Sequence, residues 1–447
     1  MKYLLAAVAV APLIAGMAHA QDQAEDEVRI EQTVIVTLPG PQRTAGELVS
    51  NVAALDRKEI VEALASTLGD TLDRQPGVAS TAFGQGASRP VLRGLGAERV
   101  QVLTNGIGVI DGLIMEDLPK RPFAGEAYAA TNSVNEGTEG GARVLAVNGP
   151  VVVTLTASTR DFGNYDIPVP AQSDRLRAET GDPAGPDGEL PNSFVQTNSV
   201  AGGLSWIGDR GFLGGAVRQQ SSQYGLPLEE TAFIDLTQTR YDIRGGLNVE
   251  NGFLTKITAA GSVADYEHTE FEAPGEPGTI FKTNGFEGRI EAGHVLGPLE
   301  GEFGIQYADS SLDAIGDEAF ITPTDTTSLG VFLYETHDFD SGIGIEGGIR
   351  AEQVDLDNER AGKVSFDLFS GSAGIHQHWA TGWFLGAQAS WAERAPNQSE
   401  LFADGPHLAT EQYEVGDRTL GKERGLNLEG TARWESDTMS FGVNLFL

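Results

Sequence analysis

The feature that most constrains this chain is a two-residue alternation of apolar and polar side chains, which recurs from about residue 140 onward. In GLNLEGTARW (425–434), Leu426 and Leu428 share one face, while Glu429 and Arg433 share the other. A period of two is that of a β-strand with one apolar and one polar side. The chain is therefore predicted to consist mainly of antiparallel strands.

The alternating segments are grouped into hairpins that repeat roughly every 45 residues. Turns rich in Gly, Asn, Asp or Pro join the two strands of a hairpin, and longer polar stretches separate the hairpins. The short turns fall at 148–150, 208–210, 250–252, 296–298, 338–342, 380–382 and 435–437. With one further strand at 125–133, the pattern predicts about fifteen strands.

Such strands suit two architectures. A soluble sandwich buries the apolar face against a second sheet, whereas an outer-membrane barrel turns that face to lipid and its polar face to a lumen. Short turns here alternate with loops of roughly 11 to 35 residues, as in outer-membrane barrels. Trp206, Trp379, Trp383 and Trp434 lie near strand ends, where such barrels carry aromatic girdles. These features favour the barrel.

The first twenty residues have the parts of a secretory signal peptide: Lys2, an apolar run, and the small residues Ala18 and Ala20. Beyond them, no stretch approaches the roughly 18 consecutive apolar residues that a membrane helix needs. We expect cleavage after Ala20 and export of the mature chain to the outer membrane of a Gram-negative cell.

Short turns of such barrels face the periplasm and long loops face the exterior. The predicted extracellular loops span 161–195, 222–238, 266–284, 310–326, 354–364 and 393–423. An odd strand count leaves open sheet edges, which a membrane does not tolerate. The sequence therefore looks truncated at its C-terminus.

Composition narrows the possible functions. The chain has no cysteine, so any metal must be held by His, Asp or Glu. A net charge of -34 argues against nucleic acid and favours cationic partners. RGLGAER lacks the third glycine of a dinucleotide fingerprint and the Lys-Ser/Thr of a P-loop, and no catalytic serine or zinc-hydrolase motif is found. We therefore expect a protein that is not an enzyme.

The segment before the barrel carries a family resemblance. TLGDTLDRQPGV and ASRPVLRGLGAERVQVLTNGI, with EQTVIVT upstream, resemble the plug and the TonB box of TonB-dependent outer-membrane receptors. FITPTDTTSLGVFLYE, DYEHTEFE and ERAPNQSELFADGPHLATEQYEVGD look like the zinc-receptor branch, with haem and siderophore receptors as near relatives. The resemblance implies a barrel of about 22 strands with an α+β plug inside it.

In that scheme the signal peptide is 1–20, the flexible N-terminus with the TonB box is 21–43, the plug is 44–124 and the barrel is 125–447. Both domains are incomplete, since about 15 of the expected strands are present. After Gly112 the chain also lacks the Asp-His pair and the glycine-rich run that complete the plug in the family.

The resemblance also implies partners. The TonB box consists of Glu31, Gln32, Thr33, Val34, Ile35, Val36 and Thr37. Such a β-prone segment can add as a strand to the sheet of an inner-membrane energy-coupling protein of the TonB type. The other expected partners are outer-membrane lipid and the transported metal ion or metal chelate, and no bound cofactor is expected.

Three residues are predicted to contact the metal. Only His268 and His407 among the histidines of the mature chain fall in predicted extracellular loops, and Glu270 lies beside His268. Imidazole and carboxylate are the ligands that zinc accepts without thiolate. His376 and His378 also have a metal-compatible spacing, but the neighbouring tryptophans favour the interfacial girdle.

Arg93, Gly94, Gly96 and Arg99 are predicted to belong to the plug core. The glycines permit tight turns against the wall, and the two arginines can pair with lumen carboxylates such as Glu287, Glu346 or Glu429. The predicted function is active uptake of a metal ion or chelate, with zinc preferred. The alternatives are a haem or siderophore receptor, a passive pore, and a non-functional truncated remnant.

Overall fold

The computed structural model describes residues 34–35, 43–44, 48–50, 52, 55, 60, 65–81, 84–104, 107–108, 112–181, 187–227, 231–249, 252–316, 319–407, 412–436 and 438–447. The predicted signal peptide lies outside these residues, as do all TonB-box residues except Val34 and Ile35. No helix in the described ranges is long and apolar enough to cross a membrane.

The N-terminal part contains short elements only. They are β1 (Val34–Ile35), β2 (Arg43–Thr44), α1 (Leu68–Leu72), β3 (Val78–Ser80), β4 (Pro90–Leu92), β5 (Leu103–Thr104) and β6 (Ile107–Gly108), with the strands paired β1–β2, β3–β4 and β5–β6. The helix predicted after Ser66 begins where the Thr67 side chain accepts a hydrogen bond from the Asp70 amide. The strand predicted at VQVL is shorter, covering only Leu103 of that run.

Fifteen antiparallel strands form one curved sheet, which confirms the predicted partial barrel. They are β7 (Phe123–Asn132), β8 (Gly137–Asn148), β9 (Val151–Phe162), β12 (Val195–Gly208), β13 (Gly211–Gly225), β14 (Phe233–Asn248), β15 (Leu254–Ala273), β16 (Glu276–Leu296), β17 (Leu299–Ile315), β18 (Thr324–Asp338), β19 (Ile343–Asn358), β20 (Gly362–His378), β21 (Trp383–Arg394), β24 (Glu423–Glu435) and β25 (Ser440–Phe446). Neighbours in this series pair with each other, and β7 and β25 are the edges.

The connections alternate in length as predicted. At one end of the sheet, which we call the turn end, tight turns include Gly149 and Gly297, whose φ angles of 59° and 62° favour glycine. At the opposite, loop end lie β10 (Asp166–Ile167), α2 (Asp174–Thr180), β11 (Gly188–Glu189), α3 (Gln398–Phe402), β22 (Asp404–His407) and β23 (Gln412–Val415). Long loops at one end and short turns at the other are the arrangement expected of outer-membrane barrels, whose long loops are extracellular.

The two faces of the sheet differ as the alternation requires. Leu204, Leu213 and Ile243 are exposed on the outer face, whereas Ser205 and Phe212 are buried on the inner face. The inner face contacts the N-terminal elements: the Met115 amide donates to Ser205 Oγ at 2.7 Å. The N-terminal unit is therefore a plug held against the polar side of the wall.

Candidate functional site

The loop between β21 and β24 is folded onto the wall at the loop end. Its helix α3 starts with a capping box in which Asn397 and Glu400 bond each other's backbone amides. The apolar side of α3 buries Leu401 and Phe402 against Phe320 and Leu356. This small core fixes the position of β22, the strand that carries His407.

His407 lies between two carboxylates. Its Nδ1 is 2.6 Å from Glu414 Oε1 on β23, and its Nε2 is 3.4 Å from Glu270 Oε1 on β15. His268 Nε2 is 3.7 Å from the same Glu270 oxygen. The structure thus brings together the three residues predicted as metal contacts and adds Glu414. We call these four residues the His407 cluster.

The cluster is largely shielded from water. Glu270 is only 2% exposed. The His407 ring stacks on Phe320 with centroids 4.5 Å apart, and the His268 ring stacks on Phe281 at 4.7 Å. Low polarity strengthens the attraction between imidazole and carboxylate and makes an unpaired charge costly.

Burial alone lowers the pKa of His407, but hydrogen bonds to Glu270 and Glu414 outweigh it and raise the pKa above its ordinary value. In the same loop, the hydrogen bonds from Arg394 lower the pKa of Glu400 despite burial. A proton on His407 therefore holds the carboxylates of Glu270 and Glu414 together. A divalent cation in that position would neutralise the same two groups.

In the described ranges, no three His, Asp or Glu side chains already stand as a ready set of metal ligands. His268 Nδ1 is nevertheless buried without a hydrogen-bond partner among those residues. The other ring nitrogen, Nε2, faces the buried Glu270 carboxylate, so it is the atom through which His268 would share a cation with that residue. Small movements of the β22–β23 hairpin would be needed to bring the donors to coordination distance.

The plug reaches this site from below. Tyr224 is on β13, at the loop end of the wall. The plug backbone at Gly86 packs so closely on the Tyr224 ring that a side chain there would collide with it. A ligand held by the His407 cluster would therefore lie above the tip of the plug.

Other ionisable residues lie away from this cluster. Glu267, which precedes His268 on β15, faces outward and pairs with Lys282 at 2.9 Å. His376 lies at the turn end, on the inner face, with Nε2 3.1 Å from Asp338 Oδ1. His378 follows it and is exposed.

The plug arginines reach the wall on strand β24. Arg93 pairs with Glu429, one of the predicted partners, while Arg99 Nε is 2.7 Å from Glu423 Oε1, a residue not named in advance. Gly94 takes a φ of 83° in the turn after Arg93. Gly96 precedes the short 3₁₀ turn Ala97–Arg99. These residues form an accessible turn that faces the wall rather than a packed interior.

A plug inside a wall of antiparallel strands, with a polar site above the plug, defines a plugged outer-membrane receptor. The model of the family "TonB dependent receptor-like, beta-barrel" matches residues 155–447, and the "TonB-dependent Receptor Plug Domain" matches residues 44–136. The chain belongs to the TonB-dependent receptor family, whose members are receptors and transporters and whose barrels lie in the outer membrane.

Individual relatives are more distant. The vitamin B12 transporter BtuB of Vibrio vulnificus (strain CMCP6) is 31% identical over 111 residues, which are 24% of this chain and 18% of the relative. The chain thus spans less than a fifth of that relative in this match.

Solved structures share the fold. The copper transporter OprC has a TM-score of 0.70 at 15% identity, over 86% of this chain and 70% of its own. The Serratia marcescens hemophore receptor HasR, solved with its hemophore HasA and heme, has a TM-score of 0.70 at 14% identity, over 90% and 73%. The FrpB iron transporter of Neisseria meningitidis has a TM-score of 0.67 at 15% identity, over 91% and 72%. These likenesses do not single out the zinc-receptor branch.

Proposed function

We propose that this chain acts in energy-coupled uptake of a metal ion or metal chelate across the outer membrane, with zinc as the preferred cargo. The observation that carries the proposal is the His407 cluster, a set of two imidazoles and two carboxylates at the loop end, above the plug. Neutral imidazole and carboxylate oxygen are suitable zinc ligands. The excess of acidic residues would also concentrate cations near the site.

Binding and proton loss are linked at His407. The raised pKa means that the imidazolium is stabilised by Glu270 and Glu414, so zinc must displace that proton. Zinc affinity should therefore rise as the pH rises through the raised pKa. The contribution of the imidazolium to the stability of the hairpin runs the other way: it is complete below the unfolded pKa and is lost through the folded pKa.

Calorimetric titration of the detergent-solubilised, folded chain with Zn²⁺ tests the site. We expect His407→Ala to weaken binding by about tenfold or more, equivalent to about 1.4 kcal/mol. His337→Ala is the matched control, because that histidine lies at the turn end, where its Nδ1 is 2.6 Å from Pro298 O and its ring meets Phe339 edge-on. Equal zinc affinity in His407→Ala and the unaltered chain would contradict the assignment of His407 as a zinc ligand.

The similar proteins are named for vitamin B12, copper, heme and iron. A haem or siderophore cargo is therefore the main alternative, and the aromatic lining of Phe281 and Phe320 suits a flat chelate. Titration of haem and of a ferric siderophore against the same variants separates these cargoes. Tight binding of a chelate with no response to Zn²⁺ would favour the alternative.

Energy coupling is tested apart from binding. Deletion of residues 31–37 should abolish uptake by cells while leaving zinc affinity intact, because a TonB-type protein needs that segment and the His407 cluster does not. Uptake that survives the deletion would indicate a passive pore. Absence of heat-modifiable migration on a gel would identify the chain as a remnant that does not form a stable wall.

A further inference from the structure

One strand of the wall has a backbone edge that its neighbour does not cover. β20 pairs with β19 over residues 362–377. On its other side, β20 pairs with β21 only over residues 371–378. Toward the loop end, residues 362–370 therefore lack a strand partner on this side among the described residues. We call this stretch of β20 the open edge.

β21 leaves β20 because it follows β24 instead. The pairing of β21 with β24 continues to Arg394, opposite Glu423. Arg394 donates to Glu423 at 2.7 Å and to Glu400 of α3 at 2.8 Å. These contacts hold the end of β21 beside β24, so a gap opens between β20 and β21 on the loop side of Gly371 and Trp391.

Two side chains close the base of this gap. Glu393 Oε2 accepts a hydrogen bond from the Phe369 amide at 2.9 Å. Lys422 Nζ donates to the Asp367 carbonyl oxygen at 2.9 Å, and it also pairs with Glu393. The two side chains thus take the place of a neighbouring strand for one amide and one carbonyl group.

Farther toward the loop end, the backbone of β20 has no such cover. Alternate residues of a strand direct their N–H and C=O groups to opposite sides, so Lys363 and Ser365 direct theirs into the gap, as Asp367 and Phe369 do. No residue in the described ranges hydrogen-bonds to these backbone groups of Lys363 and Ser365. A row of open donors and acceptors is a template to which an extended segment can add as a strand.

The side chains beside the open edge indicate which occupant fits. Asp367 is exposed on the outer face, and Asp355 and Asp357 lie on the same face of β19. Lys363 offsets one of these charges, because its Nζ is 3.0 Å from Asp355 Oδ2. The remaining charge is negative and favours a cationic occupant. On the inner face, Phe366 packs against the small core beneath α3 and offers an apolar contact.

We propose that the open edge binds an extended, basic segment of a soluble protein, which adds to β20 as a further strand. The backbone of the segment hydrogen-bonds to Lys363 and Ser365. Basic side chains at alternate positions face Asp357 and Asp367, and apolar side chains between them face Phe366. A second copy of this chain is a poorer occupant, because it would place like charges opposite each other, which destabilises a strand pair.

Fluorescence anisotropy tests the proposal on the folded chain in a nonionic detergent. The probe is a labelled peptide of about seven residues in which lysine and valine alternate, a length that suits the open edge. We expect saturable binding that weakens at high salt. Glutamate in place of lysine should abolish the binding. The lysine peptide with methylated backbone nitrogens keeps its charge but cannot donate strand hydrogen bonds, so it should bind at least about tenfold more weakly.

Two variants of one residue test the site itself. Ser365→Pro removes an N–H that faces the gap and leaves the pairing of β20 with β19 in place, since proline is tolerated on an exposed strand edge. Ser365→Ala is the matched control, because it loses the same hydroxyl and keeps the N–H. The proline variant should bind the lysine peptide at least about tenfold more weakly, and the alanine variant should bind it as the unaltered chain does.

Equal affinity of the proline and alanine variants for the lysine peptide would overturn the proposal. If Ser365→Pro does not fold, the methylated peptide decides the question on the unaltered chain. Binding as tight as that of the unmethylated peptide would mean that charge alone attracts the peptide, which would rule out an added strand. An unaltered chain that does not bind the lysine peptide would equally contradict the proposal.

Discussion

The plug meets the wall in two chemically different ways. On one side, residues 112–116 lie on the inner face of β8 to β15, where Ile114 joins a core with Leu145, Val152 and Phe212. We call this contact the apolar dock. On the other side, Arg93, Arg99 and Arg433 link plug and wall at β24 through ion pairs and backbone carbonyls. We call this contact the ionic dock.

The difference indicates which side of the plug releases first. Apolar burial is not screened by salt, whereas the exposed Arg99–Glu423 pair of the ionic dock is. The ionic dock also holds the chain near its N-terminal end, because Arg433 donates to the carbonyl oxygens of Leu48 and Ser50 at 2.7 and 3.1 Å. A pull on the N-terminus would therefore load the ionic dock while the apolar dock stays in place.

The largest effect is expected at the apolar dock. Ile114 is 7% exposed, so Ile114→Ala removes buried methyl groups and leaves a cavity, which should cost about 2–5 kcal/mol. Hydrogen exchange of the Met115 amide, which is bonded to Ser205 Oγ, measures the opening free energy of the segment. Leu118→Ala is the control, because that side chain is 48% exposed. The loss of opening free energy in Ile114→Ala should be the same at low and high salt. A strong salt dependence would contradict the assignment of this contact as apolar.

The next effect concerns the charged edge of the apolar dock. Glu116 pairs with Arg244, whose side chain is only 10% exposed, and lies 3.5 Å from Lys256 Nζ. Glu116→Gln removes the charge that compensates Arg244, which should cost about 1.5–3 kcal/mol in the same exchange measurement. Asp117→Asn, at an exposed neighbouring position, should change nothing. A neutral result for Glu116→Gln would mean that Arg244 finds water or another partner in the lumen.

A smaller effect is expected at Arg433. Arg433→Ala loses two hydrogen bonds to the plug backbone and the contact with the Phe384 ring, for about 1–3 kcal/mol. Hydrogen exchange of the backbone amides of residues 48–50 measures this loss of stability. Arg433→Lys keeps the charge, but an ammonium group cannot reproduce the planar geometry with which the guanidinium donates to two carbonyl oxygens. The lysine variant should therefore restore little of the lost stability. Full rescue by lysine would show that charge rather than geometry holds this end of the plug.

Regular features of this fold were predictable, and irregular ones were not. The alternation places Glu429 on the polar face, which made it one of three predicted partners of the plug arginines, and Arg93 pairs with it. The apolar dock at 112–116 was missed, because a short docked segment has no period. Glu414 was missed for a related reason: it meets His407 only through the β22–β23 pairing inside a loop. Conformation there depends on the small core beneath α3.

The smallest effect separates the two docks most sharply. Arg99 and Glu423 are each 40% exposed, and Arg394 also holds Glu423, at 2.7 Å. Arg99→Ala therefore leaves the carboxylate paired, and the coupling energy from a double-mutant cycle with Glu423→Gln should lie at about 0.2–1 kcal/mol. It should shrink toward zero at high salt, since the pair is exposed. A coupling energy larger than the effect of Ile114→Ala would mean that the ionic dock is the more stable of the two contacts, and that the apolar dock would be released first by a pull on the N-terminus.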